Sequence, residues 1–302
     1  MSDPEKLKAD PSCVAITLST CYPKWYRGKL QSIKHTDKIR GDLAFELLHK
    51  ANQLGYQVVV VDARSSRSFR KELSLLLRVK IVNRTSIKRS PAKRLAFKLA
   101  SKLEGVRVIV YTDPEKVSFV SRCIPYVTNP IIEDRADIIV PKRNPELFKS
   151  TYPNYQFGSE MEGNRLYNEQ LKMNNLQHPH DDELDMFFGP KVFRNEPNIV
   201  NLFMKRYSFY MNKNIKQAED LIFDPEDYSN AIFFPIVIAL KKKLRVASVE
   251  IPFSYPSIQK DNEEIGSSEL FMEKRRAQRL SILVELMHLI NLLEKKRYSR
   301  LR

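Results

Sequence analysis

The feature that most limits what this chain can fold into is a set of short, unbroken apolar runs separated by helical patterns. Residues 14–19, 58–61, 106–111 and 138–140 are rich in Val and Ile and carry no alternating polar face. Strands that are apolar on both sides must be covered on both sides. Between them, residues 42–54 set Leu43, Leu47, Leu48 and Ala51 near helical spacing and stop at Gly55. Residues 68–77 and 91–103 also read as helices, the second with Pro91 in its first turn, and a brief strand is expected at 81–82. This alternation implies an α/β fold, a mostly parallel central sheet flanked by helices. Ligands in such sheets bind beyond the carboxyl ends of the strands, so the residues after each run hold the functional interest.

The second half has a different character. Residues 152–196 are polar, 198–211 and 229–243 look helical, and 245–253 reads as a strand followed by a polar loop at 257–268. Residues 269–296 read as a long amphipathic helix with Leu280, Leu283, Val284, Met287 and Ile290 on one stripe. A soft boundary near 149–153 divides residues 12–150 from 151–302 within one compact fold.

Composition narrows the function. With 302 residues, 42% of them hydrophobic, the chain can bury enough apolar surface to avoid disorder. The longest spanning candidate, 231–240, is too short for a bilayer and runs into Lys241, Lys242 and Lys243. Fifty-one Lys and Arg against 36 Asp and Glu give a net charge of +15, which attracts anions: nucleic acid, acidic membrane or phosphorylated small molecules. Only 8 glycines are present, and neither GxGxxG nor GxxxxGK[ST] occurs. Cys13, Cys21 and Cys123 form no CxxC or zinc pattern, and residues 1–10 lack an apolar signal region, so a reduced, cytoplasmic protein is expected.

Two strand ends and one helix start carry polar residues that can face one crevice. The run 58–61 delivers Asp62, then Arg64, Ser65 and Ser66; Asp62 can accept from a ribose diol or a base N–H, or close a loop ahead of a helix cap. The run 106–111 delivers Thr112, Asp113, Pro114, Glu115 and Lys116. In extended backbone, residues i and i+2 share a face about 6.5 Å apart, so Asp113 and Glu115 can flank a hard cation or form an acidic turn. Lys88, Arg89, Lys93 and Arg94 crowd a helix start, an end that favours anions.

The order of these pieces resembles the glycosyltransferase A fold and, more narrowly, the family-2-type enzymes that use nucleotide sugars. The resemblance covers residues 12–150 and extends loosely to about residue 260. It implies that Ser19, Thr20, Asp62, Ser65, Arg89, Lys93 and Asp113 bind the donor. It also implies that Asp113 and Glu115 hold Mg²⁺ or Mn²⁺, and that the helical second half binds the acceptor. Two departures stand out: Glu115 replaces the usual second Asp, and Arg64 replaces a common Gly. In inverting members an acidic residue from the segment 181–190 is the general base; Asp185 is the first choice here, with Asp182 and Glu183 in reserve. Burial beside Phe187 and Phe188 would raise its pKa.

Other groups are more ambiguous. Gln156, Glu160 and Asn164 form a polar helical stripe that suits sugar hydroxyls or water. Asp137 reads as a strand-entry carboxylate, with Lys142 and Arg143 placed to reach a phosphate or an acidic acceptor. His178 and His180 read as a polar loop, and residues 255–264 as a lid or a surface loop. The expected reaction is transfer of a sugar from a nucleoside diphosphate to an acceptor hydroxyl, the acceptor being unspecified. The alternatives are a nucleotidyltransferase of similar fold and a basic nucleic-acid-binding protein, although no nucleic-acid signature is visible and no specific nucleic acid is expected. The basic surface and the cations at 295–302 also suit peripheral contact with anionic membrane.

Overall fold

The computed structural model describes residues 10–207, 230–266 and 268–298. The apolar runs become β1 (Val14–Thr20), β2 (Gln57–Ala63), β3 (Val79–Arg84), β4 (Val108–Tyr111) and β5 (Ile138–Arg143). The second half adds β6 (Lys191–Arg194) and β7 (Val246–Ile251) to the same sheet, whose order is β3-β2-β1-β4-β6-β5-β7. Only β6 runs against its neighbours; the other pairings are parallel. The expected α/β class with a mostly parallel sheet is therefore present.

Helices cover both faces, in chain order α1 (Thr36–Gln53), α2 (Arg67–Leu73), α3 (Arg89–Ala100), α4 (Ile124–Ile132), α5 (Pro145–Thr151), α6 (Asn154–Met173), α7 (Pro197–Met204), α8 (Phe234–Lys241), α9 (Ser257–Asp261) and α10 (Ser268–Tyr298). Strand alternation decides which layer each side chain joins. Val58 and Val60 pack with Leu47 and Leu48 of α1 and Phe69 of α2, whereas Val59 and Val61 pack with Ala96 and Phe97 of α3. Both sides of β2 are thus buried, which is why the four valines show no polar alternation.

Several expectations change in detail. The loop at 257–268 contains α9 and a π-helical turn at Asn262–Gly266. On α10 the buried face is Ile282, Leu286, Leu289 and Ile290, while Leu280 and Met287 of the expected stripe are exposed. The first helix after β6 ends at Met204; the rest of 198–211 beyond residue 207, residue 229 and the cationic end at 299–302 lie outside the described residues. Among the described residues no helix is long and apolar enough to cross a membrane.

Candidate active site at the carboxyl ends of the strands

Strand order reverses between β1 and β4, because the chain moves outward from β1 through β2 to β3 and then returns to the other side. The crevice beyond the carboxyl ends at such a point is the ligand site of open α/β sheets. Residues 19–22, 62–66 and 112–116 reach it from β1, β2 and β4. Since β6 is antiparallel, it brings its beginning, not its end, to the same place: Lys191 pairs in register with Tyr111.

Asp62 and its neighbours build the wall between β1 and β2. Thr20 and Asp62 are register partners, and the Thr20 hydroxyl donates to Asp62 Oδ1 at 2.7 Å. The Ser65 hydroxyl donates to the same oxygen at 2.5 Å and accepts from the Tyr22 N–H at 2.8 Å. Asp62, at 1% exposure, is thus spent on holding the 62–65 turn against the end of β1 rather than open to a ribose. Ser65 and Thr20 are buried with it, Ser19 is half-buried, and Ser66 caps α2 through the Phe69 N–H. Arg64 sits at φ +61°, so the turn keeps the left-handed geometry that glycine adopts more cheaply.

The start of α3 forms the opposite wall. Arg89 is exposed there, while Lys93 is buried with its ammonium 4.9 Å from the centroid of the Tyr111 ring. Burial pulls the Lys93 pKa down to about 8, an effect that nearby Asp113 partly offsets. Ser90, one turn from Lys93, is wholly buried, and among the described residues its hydroxyl has no hydrogen-bond partner. An ammonium and a free hydroxyl at a helix N-terminus are suited to phosphate oxygens.

The acidic pair differs from expectation. β4 ends at Tyr111, and the Lys116 N–H donates to the Asp113 carbonyl at 3.2 Å, closing a turn with Pro114 at its second position. Extended-strand alternation therefore does not apply, and the two carboxylates take different partners. Asp113 Oδ1 accepts from the Tyr111 hydroxyl at 3.1 Å, and Oδ2 lies 3.8 Å from the Lys116 ammonium. Burial alone would raise the Asp113 pKa, but Lys116 and Lys93 outweigh it and hold the carboxyl below its usual range. Glu115 instead faces Arg40 of α1 at 3.6 Å. Among the described residues no three metal-ligating side chains gather. One carboxylate beside an ammonium, and another engaged by a guanidinium, do not fit the Mg²⁺ or Mn²⁺ seat expected of Asp113 and Glu115.

Arg40 joins this turn to the C-terminal part of the chain. Its second amino group donates to buried Glu263 at 2.9 Å. Glu263 also accepts from the Tyr255 hydroxyl at 3.0 Å and Gln259 at 3.2 Å, and Arg275 of α10 lies 3.9 Å away. Burial would raise the Glu263 pKa, yet Arg275 and Arg40 hold it low. The segment expected as a lid or surface loop is thus packed against the crevice through a buried acid.

Asp185 is the second correction. It is buried, but Arg143 grips it with two bonds of 2.7 Å and Asn164 donates to it at 2.7 Å. Burial pushes its pKa up; the Arg143 charge and hydrogen bonds push it further down, so the carboxyl lies below its ordinary value rather than above it. The polar stripe of α6 belongs to the same buried network: Arg143 donates to Glu160 at 2.5 Å, and Gln156 donates to Glu160 at 2.7 Å. It is neither a wet helix face nor open to sugar hydroxyls, and Arg143 cannot reach an acceptor. Asp137 is the strand-entry group expected, accepting from the Arg245 backbone N–H at 3.0 Å. His178 and His180 are exposed in a loop.

Two residues that the sequence did not single out shape the floor. Lys191 is wholly buried, and its ammonium donates to the carbonyls of Phe188 at 2.6 Å, Pro190 at 3.1 Å and Met186 at 3.3 Å. Burial lowers its pKa to about 7. The loop it ties down presses Gly189 against Asp113: a Cβ there would stand 2.1 Å from Asp113 Oδ2.

The crevice at the switch point of this sheet thus brings Lys93, Asp113 and Lys116 together beside the start of α3. Neither a protein-family model nor a curated protein matches the chain. Among solved structures it is similar to a glucosyl-3-phosphoglycerate synthase of M. tuberculosis (9% identity, 89% of this chain and 80% of that one, TM-score 0.45). It is also similar to a mannosyltransferase of Pyrobaculum calidifontis in complex with GDP-Man and Mn²⁺ (10%, 97% and 82%, TM-score 0.40). A cytidylyltransferase of Leptospira borgpetersenii is similar too (11%, 94% and 96%, TM-score 0.42).

Proposed function

We propose that the protein is a glycosyltransferase that takes a sugar from a nucleoside diphosphate and passes it to an acceptor hydroxyl. The observation that carries this reading is a buried ammonium, Lys93, near the start of α3 and close enough to Asp113 at the switch-point crevice for the two charges to interact, with the buried Ser90 hydroxyl, which has no partner among the described residues, one turn before it. The α3 end and Lys93 hold the diphosphate, and their fixed positive charge stabilises the negative charge that grows on it as the sugar leaves. Asp62 and Ser65 shape the nucleoside wall without touching the ligand through the carboxylate. Asp185, clamped by Arg143, positions the 185–190 loop and stays ionised; it takes no proton from the acceptor.

The test is a thermal-shift panel of UDP-, GDP- and ADP-sugars followed by product analysis. A ligand at one hundred times its Kd stabilises by about 2.7 kcal/mol, a shift of roughly 5 °C for a chain of this size. One nucleotide class should give that shift and release a nucleoside diphosphate with an acceptor. Release of pyrophosphate from a nucleoside triphosphate instead would make the protein a nucleotidyltransferase, and a shift with generic RNA alone would remove the enzyme reading.

A further inference from the structure

A diphosphate needs countercharge, and the usual source is a divalent ion held by two carboxylates. Here those carboxylates already have cationic partners. Arg40 spans Glu115 at 3.6 Å and Glu263 at 2.9 Å, with its guanidinium also 5.6 Å from the centre of the Phe271 ring. To use Glu115, a hydrated magnesium would have to displace a half-buried guanidinium pinned from α1, the β4 turn, the π-helical turn and α10. At Asp113 the approaching ion would meet the Lys116 ammonium, 3.8 Å from Oδ2 and lodged over the rings of Phe188 and Phe253 at 4.9 and 5.3 Å. An ammonium packed against two rings cannot swing away cheaply. Lys93, also buried, faces the same carboxylate from α3.

We propose that this chain neutralises its donor's diphosphate with its own fixed cations, Lys93 and Lys116 first among them, and binds it without a divalent metal. The inference rests on the nucleotide-sugar reading above. Asp113 then has a different task. It keeps the two ammonium groups paired while the crevice is empty, and yields them to the phosphate oxygens when the donor arrives. Arg40 occupies the side of Glu115 that a metal would need, and it holds Glu263 and α10 against the crevice.

The experiment is isothermal titration of the full chain with UDP, GDP, CDP and ADP at low ionic strength, in excess EDTA and again in excess Mn²⁺. The diphosphate that binds should do so at least as tightly in EDTA as in Mn²⁺, which complexes the free diphosphate and lowers its charge. Lys93→Met should weaken it about tenfold or more in both, the loss of one charge-assisted contact. Paramagnetic resonance of Mn²⁺ added to the protein alone should show only free ion. Binding that vanishes in EDTA and returns with Mn²⁺ would overturn this inference while leaving the donor reading standing. No binding of any diphosphate under either condition would overturn both.

Discussion

Replacing Gly189 with Ala probes the contact on which the floor of the crevice depends. The new Cβ would lie 2.1 Å from Asp113 Oδ2 and 3.0 Å from its Cγ, far inside van der Waals contact. The loop cannot retreat, because Lys191 holds the carbonyls on either side of Gly189. Asp113 must therefore move, and it loses the Tyr111 hydroxyl bond and its approach to Lys116. Overpacking of this kind costs about 1–3 kcal/mol. The cost has a single source, so it should disappear when that source is cut away: in Asp113→Ala all three atoms near the glycine are gone. Urea unfolding of wild type, Gly189→Ala, Asp113→Ala and the double variant gives the coupling directly, provided the m-values agree. We expect a coupling of about 1–2 kcal/mol. Additivity within about 0.5 kcal/mol would refute the claim that Gly189 is small because Asp113 stands against it.

Asp185→Ala should destabilise the protein by about 3 kcal/mol, since it leaves buried Arg143 with Glu160 alone. A solvated catalytic base would show almost no change in the same unfolding curve. Lys191 is lowered to about 7 in the fold, whereas the unfolded side chain has the ordinary lysine value of 10.5. Between these values the unfolded chain binds more protons, so stability rises with pH, by at most about 1.4 kcal/mol per unit from this group. Lys191→Met should lose that rise in urea unfolding between about pH 7 and 9; equal slopes in the two proteins would place the titration elsewhere.

The central sheet was legible because β1, β2, β4 and β5 are apolar on both sides, and nothing but a strand between two helical layers explains four consecutive valines at 58–61. β6 was not, because Lys191 starts it and a lysine reads as solvent-exposed. Its burial depends on three carbonyls that only the folded loop supplies. The Asp113 turn was misread for a local reason: alternation assumes extended backbone, whereas Asp-Pro at the first two places favours a turn. Asp185 shows a longer-range limit. Burial was foreseen from Phe187 and Phe188, but the pKa direction was decided by Arg143, 42 residues away in sequence at the end of β5. Arg40 and Glu263 carry no motif at all; their separation of 223 residues leaves no spacing to recognise.

That separation has a consequence for the newly made chain. Ribosomes extend a polypeptide by about 5–20 residues per second, so Arg40 emerges roughly 10–45 s before Glu263 exists. Until then α1 and the β4 turn share a guanidinium with only one carboxylate to answer it, and α10 has not been synthesised. The wall between β1 and β2 can form early in translation, but the crevice gains its last side only once α10 has been made. Fragments that stop short of Glu263 would therefore carry the crevice without the acid that ties Arg40 to its far side.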